Sequence, residues 1–330
     1  MDKAIHAKIH DVLSASDRII LVPDERIDGD SVGSAFAMYE YLKQKGATVA
    51  VYTPKPLPRK YGFMPFDGTL MHDANELARF GAETVVAFDC SDRKFVESVC
   101  AGQKGVKYII NIDHHATNPK YGTINLVSKS ASTCSVVYWL LKSAKAQMSP
   151  EMATNLFAGL CFDTGMFSNS ATDQESFEIA SDLVLCGAKY HQIANAYFSD
   201  KSIDALVLWG RAFERIRVNE EADIAVTCIT RSDFEHTKTS EEDCEGIVNF
   251  LNAVLRIGIV MLFRETSDGK IKASMRTITR DVSRLASMFG GGGHVRAAGF
   301  KVPGRIQLDG EKWSIISLTD QKIEDIIPLP

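Results

Sequence analysis

The residues with the most chemistry in this 330-residue chain are short acidic and imidazole clusters, each following an apolar run. Asp113-His114-His115 comes after Val106-Lys107-Tyr108-Ile109-Ile110, a β-branched run that reads as a buried strand of a parallel sheet. Asp28-Gly29-Asp30 follows Ile19-Ile20-Leu21-Val22, and Asp89-Cys90-Ser91-Asp92 follows Thr84-Val85-Val86-Ala87-Phe88. Asp163-Thr164-Gly165 closes the apolar stretch from Leu156 to Phe162. Two divalent ions about 3.5–4 Å apart clamp both oxygens of an in-line phosphoryl displacement, and such a pair needs several carboxylates, at least one of them bridging. Hard oxygen ligands with one or two imidazoles suit Mn²⁺ or Mg²⁺ better than Zn²⁺. Taken singly these residues have plain readings: Asp28 or Asp30 as a helix cap, Asp89 as a strand-end turn, His114 and His115 as surface histidines. Those readings leave unexplained why four strand ends carry acids or histidines that one sheet edge would gather. The constellation is a candidate two-metal site.

The elements that must position these residues alternate. Apolar positions Ile5, Ile9, Val12 and Leu13 predict a first helix. Strands are expected at 18–23, 48–52, 84–88, 106–110 and 123–127. Helices are expected after Ser31, which reads as a cap, around 74–80, and over 132–141, 150–162 and 174–186. The prolines 54, 56, 58 and 65 make their stretch loop-like. Strand–helix alternation argues for βαβ units and an α/β fold with a parallel sheet and flanking helices. After a helical linker over 189–211 the pattern changes. Strands at 222–229, 257–263 and 270–275, with helices at 241–251 and 282–288, make a second, smaller mixed α/β domain. The expected division is 1–188, 189–211 and 212–330; the pattern after residue 304 is unreadable. Gly290-Gly291-Gly292-Gly293-His294 sits between the last helix and a compact segment. Successive glycines expose backbone N–H groups and suit a phosphate cradle, with a flexible linker as the plain alternative.

Composition narrows the function. A formal charge of −5 argues against a clamp on long duplex nucleic acid, which needs a basic face. A short anionic substrate in a local pocket remains compatible. The seven cysteines are scattered and odd in number, as expected of reduced, buried thiols in a cytoplasmic protein. There is no signal-peptide pattern at the N-terminus and no apolar run long enough for a bilayer, so no membrane role is expected.

The order Asp28-Gly29-Asp30, Asp89-Cys90-Ser91-Asp92, Asp113-His114-His115, Asp163-Thr164-Gly165 and Gly290 to His294 resembles the DHH phosphoesterase superfamily with its DHHA1 accessory domain. The resemblance runs from about Arg18 to about Val302 and is strongest to the oligoribonuclease and pAp-phosphatase branch and its dinucleotide phosphodiesterase relatives. It implies a cleft between the domains and two divalent ions, Mn²⁺ by family preference or Mg²⁺. Asp28 would hold one ion and Asp30 the other, Asp89 would bridge, and His114 and Asp163 would complete the second site. His115 would stand near the nucleophilic water, and Asp113 would orient His114 or cap the following turn. Arg276 and His294, with Gly291, Gly292 and Gly293, would hold a substrate phosphate. The implied substrate is short RNA, pAp, or a linear or cyclic dinucleotide, and a homodimer is compatible with it. A polyphosphate or pyrophosphate hydrolase and a catalytically weakened nucleotide-binding regulator are the alternatives. One position departs from the family: Asp24 stands where the first motif has histidine, so the implied metal set gains a negative charge.

Overall fold

The computed structural model describes residues 3–103, 105–198, 201–310 and 312–317. Its internal contacts divide the chain into units Met1–Asp200 and Lys201–Pro330. The division falls within the stretch expected to link two domains: the helix Tyr190–Phe198 belongs to the first unit and the helix Ile203–Glu214 to the second. Residues 199–200 of that stretch, and 318–330 of the expected second domain, lie outside the described residues.

In the first unit, β1 (Arg18–Pro23), β2 (Thr48–Tyr52), β3 (Thr69–Met71), β4 (Thr84–Phe88), β5 (Tyr108–Asp113) and β6 (Ile124–Val127) form one parallel sheet in the order β3-β2-β1-β4-β5-β6. Alternate residues serve two helical layers. Ile19, Leu21, Val86, Ile110 and Ile112 pack with α1 (Lys3–Ala15), α2 (Gly29–Gln44), α5 (Thr133–Ser143) and α6 (Pro150–Asp163). Ile20, Val22, Val85 and Ala87 pack with α3 (Ala74–Phe80) and α4 (Arg93–Ala101). Burial on both faces is why these strands read as unbroken apolar runs. The helices α7 (Gln174–Leu185) and α8 (Tyr190–Phe198) complete the unit. The chain winds outward from β1 to β3 and then returns to β4, so the switch point lies between β1 and β4, where open sheets of this kind bind ligands at their carboxyl ends.

Three local details differ from the sequence reading. Strand β3 lies in the proline-rich stretch read as loop; it is three residues long and sits on the sheet edge, where neighbouring prolines cost no ladder bond. Strand β5 continues past the apolar run through Asn111 to Asp113, because the buried Asn111 amide donates to Asn118 (2.7 Å) and Asn125 (3.1 Å) and so needs no solvent. Helix α2 starts earlier than expected and is capped by Asp28, with Ser31 as the reciprocal member of a capping box.

The second unit holds α9 (Ile203–Glu214), β7 (Arg217–Asn219), β8 (Ile224–Ile229), α10 (Arg231–Thr237), α11 (Ile247–Val254), β9 (Ile259–Glu265), β10 (Lys270–Thr277), α12 (Val282–Met288), β11 (Gly292–His294), β12 (Ala297–Asp309) and β13 (Lys312–Ser317). Its mixed sheet runs β11-β12-β10-β9-β8-β7, with β13 on the far half of β12 and one parallel pair, β8 with β9. Val260 and Leu262 meet α9, α10 and α11 on one face; Met261, Phe263 and Met275 meet α12 on the other. Within the segment unreadable in sequence, residues 304–309 form the second half of β12 and residues 312–317 form β13.

Candidate active site

The acids converge at the carboxyl end of the first sheet, but from fewer strands than expected. Asp89 follows β4, Asp113 ends β5, and Asp28 and Asp30 open α2 after β1. Asp163 is the last residue of helix α6 and reaches the site because α6 packs hard against α2. At Gly159 a side-chain carbon would collide with Cys134 Sγ and press on Asp30, so only glycine permits that approach.

Two groupings of donor atoms share His114: Asp30, His114 and Asp163, and Asp89, Asp113, His114 and His115. His114 Nδ1 lies 3.1 Å from the Ser130 carbonyl, which can only accept, so Nδ1 carries the proton. Its Nε2 lies 3.2 Å from Asp163 Oδ2 and 3.5 Å from Asp89 Oδ1, is buried, and has no hydrogen-bond partner. A buried ring nitrogen facing two carboxylates suits a cation among them, and a backbone acceptor on the other nitrogen is how metal-ligating imidazoles are oriented.

The carboxylates show the same strain. Asp30 is fully buried, its oxygens accepting from the Thr133 and Cys134 N–H groups at the start of α5. Burial, and after it repulsion from Asp28, raises its pKa despite those bonds and His114. Burial holds Asp89 well above the ordinary carboxylate range, and Asp30 and Asp28 add to it against the opposing pull of His115. Burial raises Asp163 likewise, followed by Asp30, Asp89 and Asp28. Carboxylates crowded until they resist ionising fit divalent cations. Asp89 also takes a left-handed backbone, φ 57°, and accepts from Thr133 Oγ1 at 2.9 Å. A strained non-glycine turn at a functional position is a recurring feature of such sites.

Asp113 and His115 form a separate pair. His115 donates its backbone N–H (2.8 Å) to Asp113 Oδ1, and its Nδ1 lies 2.9 Å from the same oxygen and 3.2 Å from Asp89. Hydrogen bonds to Asp113, then to Asp89, outweigh burial and push the imidazole up to about 11. Burial alone would raise Asp113, but bonds from His115 and Asn118 hold it below its usual value. Asp113 therefore orients His115 rather than His114.

The plain readings hold for some positions. Asp28 does cap α2, accepting the Ser31 N–H at 2.9 Å with Oδ1. Asp92 caps α4 through Lys94 (2.9 Å) and Phe95 (3.2 Å). Asp24 is buried, with Oδ1 accepting from Arg26 N–H at 2.8 Å, and lies outside both donor groupings. Burial, then the Asp24 carboxylate beside it, pushes the Cys90 thiol up to about 12.

In the second unit, β-ladder register brings Arg276 and His294 to one sheet face. Each pairs with Ala297, from opposite sides, and the next row on that face is Ser274, Gly299 and Gly292. Two polar side chains thus stand either side of a floor of small residues. The glycine run is a tight edge strand rather than a loop: at Gly291 and Gly293 a side-chain carbon would meet the backbone of β12, while Gly292 faces open space. Arg276 donates from Nε to Asn249 Oδ1 at 2.7 Å, and burial lowers its pKa.

Sequence reasoning missed Thr133, which ties Asp30 and Asp89 to α5, and Ser130, which sets His114. It also missed Asn118, which bonds to Asp113. Asn118 carried a signal, a polar residue three positions past His115; the others are ordinary members of a Ser/Thr-rich turn. Among the described residues no helix is long and apolar enough to cross a membrane.

Comparison with known proteins places these features. The profile of the DHH family, N-terminal domain, matches residues 18–160, and that of the DHHA1 domain matches residues 221–324. The bifunctional oligoribonuclease and PAP phosphatase NrnA of Thermus thermophilus is 29% identical over 280 residues, covering 84% of this chain and 82% of the relative. The Bacillus subtilis protein of that name is 25% identical over 297 residues, covering 88% and 91%. The crystal structure of an exopolyphosphatase-related protein from Bacteroides fragilis superposes with a TM-score of 0.83 at 25% identity, over 91% of each chain.

Proposed function

Because the chain belongs to the DHH phosphoesterase family, with a DHHA1 domain after the DHH domain, we propose that it hydrolyses short nucleotides to mononucleotides: oligoribonucleotides of a few residues, pAp, or linear or cyclic dinucleotides. The observation that carries the chemistry is the buried, unpartnered His114 Nε2 facing Asp89 and Asp163. Divalent ions, Mn²⁺ or Mg²⁺, would be held by Asp30, His114 and Asp163 on one side and by Asp28 on the other, with Asp89 between. Asp24, already engaged by Arg26, is left outside this set. When bound, such ions supply positive charge that polarises the phosphate and acidifies water.

The chain's own residues do the rest. Ser130 fixes the His114 tautomer, and Thr133 holds Asp89 in place. Asp113 accepts from His115 Nδ1 and so orients the ring beside the reacting phosphate. Arg276 and His294, with Gly291, Gly292 and Gly293 in the adjoining edge strand, bind the phosphate that is not cleaved; Arg276 offers the fork that phosphate recognition uses. The resemblance of two curated relatives to this chain supports the nucleotide class, since both carry the oligoribonuclease and PAP phosphatase name.

With Mn²⁺ the protein is expected to release mononucleotide from a short RNA and phosphate from pAp, and to stop when a chelator is added. Faster turnover of polyphosphate than of either nucleotide, compared by kcat/KM, would overturn the substrate class. Tight nucleotide binding with no turnover would favour a regulator instead.

A further inference from the structure

Resting on the reading of Arg276 as a substrate-phosphate contact, we propose that Asn249 is the positioning residue of that arginine. Its neutral amide, standing where the partly buried Arg215 and Arg264 have a carboxylate, leaves the guanidinium charge available to an anion. The comparison lies within one domain. Arg215 is locked to Asp233 (Nη2 to Oδ1 2.9 Å) and Arg264 pairs with Glu241 (3.3 Å); even the exposed Arg280 pairs with Asp223 (3.0 Å). Arg276 is half-buried on β10, yet no carboxylate lies within ion-pair distance of it among the described residues. Its contacts are two neutral oxygens: Asn249 Oδ1, 2.7 Å from Nε, and the Met275 carbonyl, 2.9 Å from Nη1.

Those two bonds do different things. The Met275 carbonyl belongs to the adjacent residue of the same strand and restrains the fork only locally. Asn249 belongs to α11, which packs on the face of the sheet that Arg276 shares with Val260. The amide therefore sets the plane of the guanidinium from outside the strand. Of the five guanidinium N–H groups two are used, and three remain for a ligand. A carboxylate at position 249 would keep the same geometry and capture the charge, so the choice of amide matters for binding and not for folding.

Asn249→Asp is nearly isosteric and tests this directly. KM for pAp and for a 5′-phosphorylated dinucleotide should rise by about tenfold or more, the scale of one charge-assisted contact, with kcat within about twofold. Asn249→Ala keeps the charge but loses the orientation, and KM should rise only a few-fold. Bis-p-nitrophenyl phosphate, which has no second phosphate, should be hydrolysed equally by all variants. The dissociation constant for AMP, measured by calorimetry, should weaken in parallel and reads the same effect without turnover. The inference is overturned if Asn249→Asp leaves KM and AMP binding unchanged while Arg276→Ala weakens both. If Arg276→Ala also changes neither, the anion role of Arg276 falls and this inference with it; equal losses on pAp and on the generic ester would mean that Asn249 only supports the fold.

Discussion

The first unit gathers Asp30, Asp89 and Asp163 about Nε2 of His114, with the Asp28 charge close enough to raise them, whereas the second sets Arg276 on a sheet face with neutral oxygens for company. Asp233, in the second unit, is the internal control. It too is buried, though less deeply than Asp89, and its bonds from Arg215 and Thr230 outweigh burial and hold its carboxyl below the usual range, while Asp89 is forced above it. Structural charges in this protein come with their partner built in. At the first site the carboxylates outnumber the imidazoles that face them, and among the described residues no carboxylate lies within ion-pair distance of Arg276; a buried charge short of its counter-charge is costly unless something arrives to compensate it. On the function proposed above, that something would be a cation in one region and an anion in the other, the division of labour a metal-dependent phosphoesterase needs.

The sharpest way to break this comparison is at Asp89. Asp89→Ala should lower turnover by on the order of a thousandfold, because the carboxylate belongs to one donor grouping and lies 3.5 Å from His114, which both groupings share. The fold should survive, since Asp89 is crowded rather than stabilised where it stands. Activity within a few-fold of wild type, in a variant that still melts cooperatively, would remove it from the site.

A smaller and more selective effect belongs to the other region. Arg276→Ala and His294→Ala should each reduce kcat/KM on nucleotides by about tenfold to a hundredfold, the range of one or two charge-assisted contacts, and leave a generic phosphodiester nearly untouched. Metal affinity, measured by titration, should not move in either variant. An equal loss on both substrates would make these residues structural and erase the contrast between the regions.

The smallest effect is a pH slope in the metal-free protein. Asp30, Asp89 and Asp163 are raised by burial and mutual repulsion, and His115 is raised to about 11 by Asp113 and Asp89. Each binds protons more readily folded than unfolded. Its contribution is complete below the unfolded value, about 4 for a carboxyl and about 6.5 for histidine, and is lost as pH rises through the folded value. Asp113, which is lowered, acts in the opposite sense, and only in acid. Thermal melts in chelator should therefore show Tm falling from pH 5 to pH 8, and Mn²⁺ should flatten the slope by taking the place of the protons. A slope unchanged by metal would mean that the crowded carboxylates are not where the ion goes.

Much of this was legible without the fold. Strand ends carry the motifs because a parallel sheet buried on both faces writes its strands as continuous apolar runs, and Asp28, Asp89 and Asp113-His114-His115 stand directly after or at the end of such runs. The residue types favoured hard cations over Zn²⁺, and the family resemblance added the larger weight for Mn²⁺. What the local pattern could not settle is anything that depends on contacts across the chain. Whether Asp163 reached the site from a strand or a helix was decided by packing. So were the tautomer of His114, set by a carbonyl 16 residues away, and the pairing of His115 rather than His114 with Asp113. The glycine run shows the same limit: in sequence it is a flexible cradle, in the fold an edge strand whose glycines admit a neighbouring backbone. Residue chemistry is a property of the side chain and survives any fold, so the sequence carried it. Partnership and orientation belong to pairs of residues far apart in the chain, and they exist only once the tertiary structure brings them together.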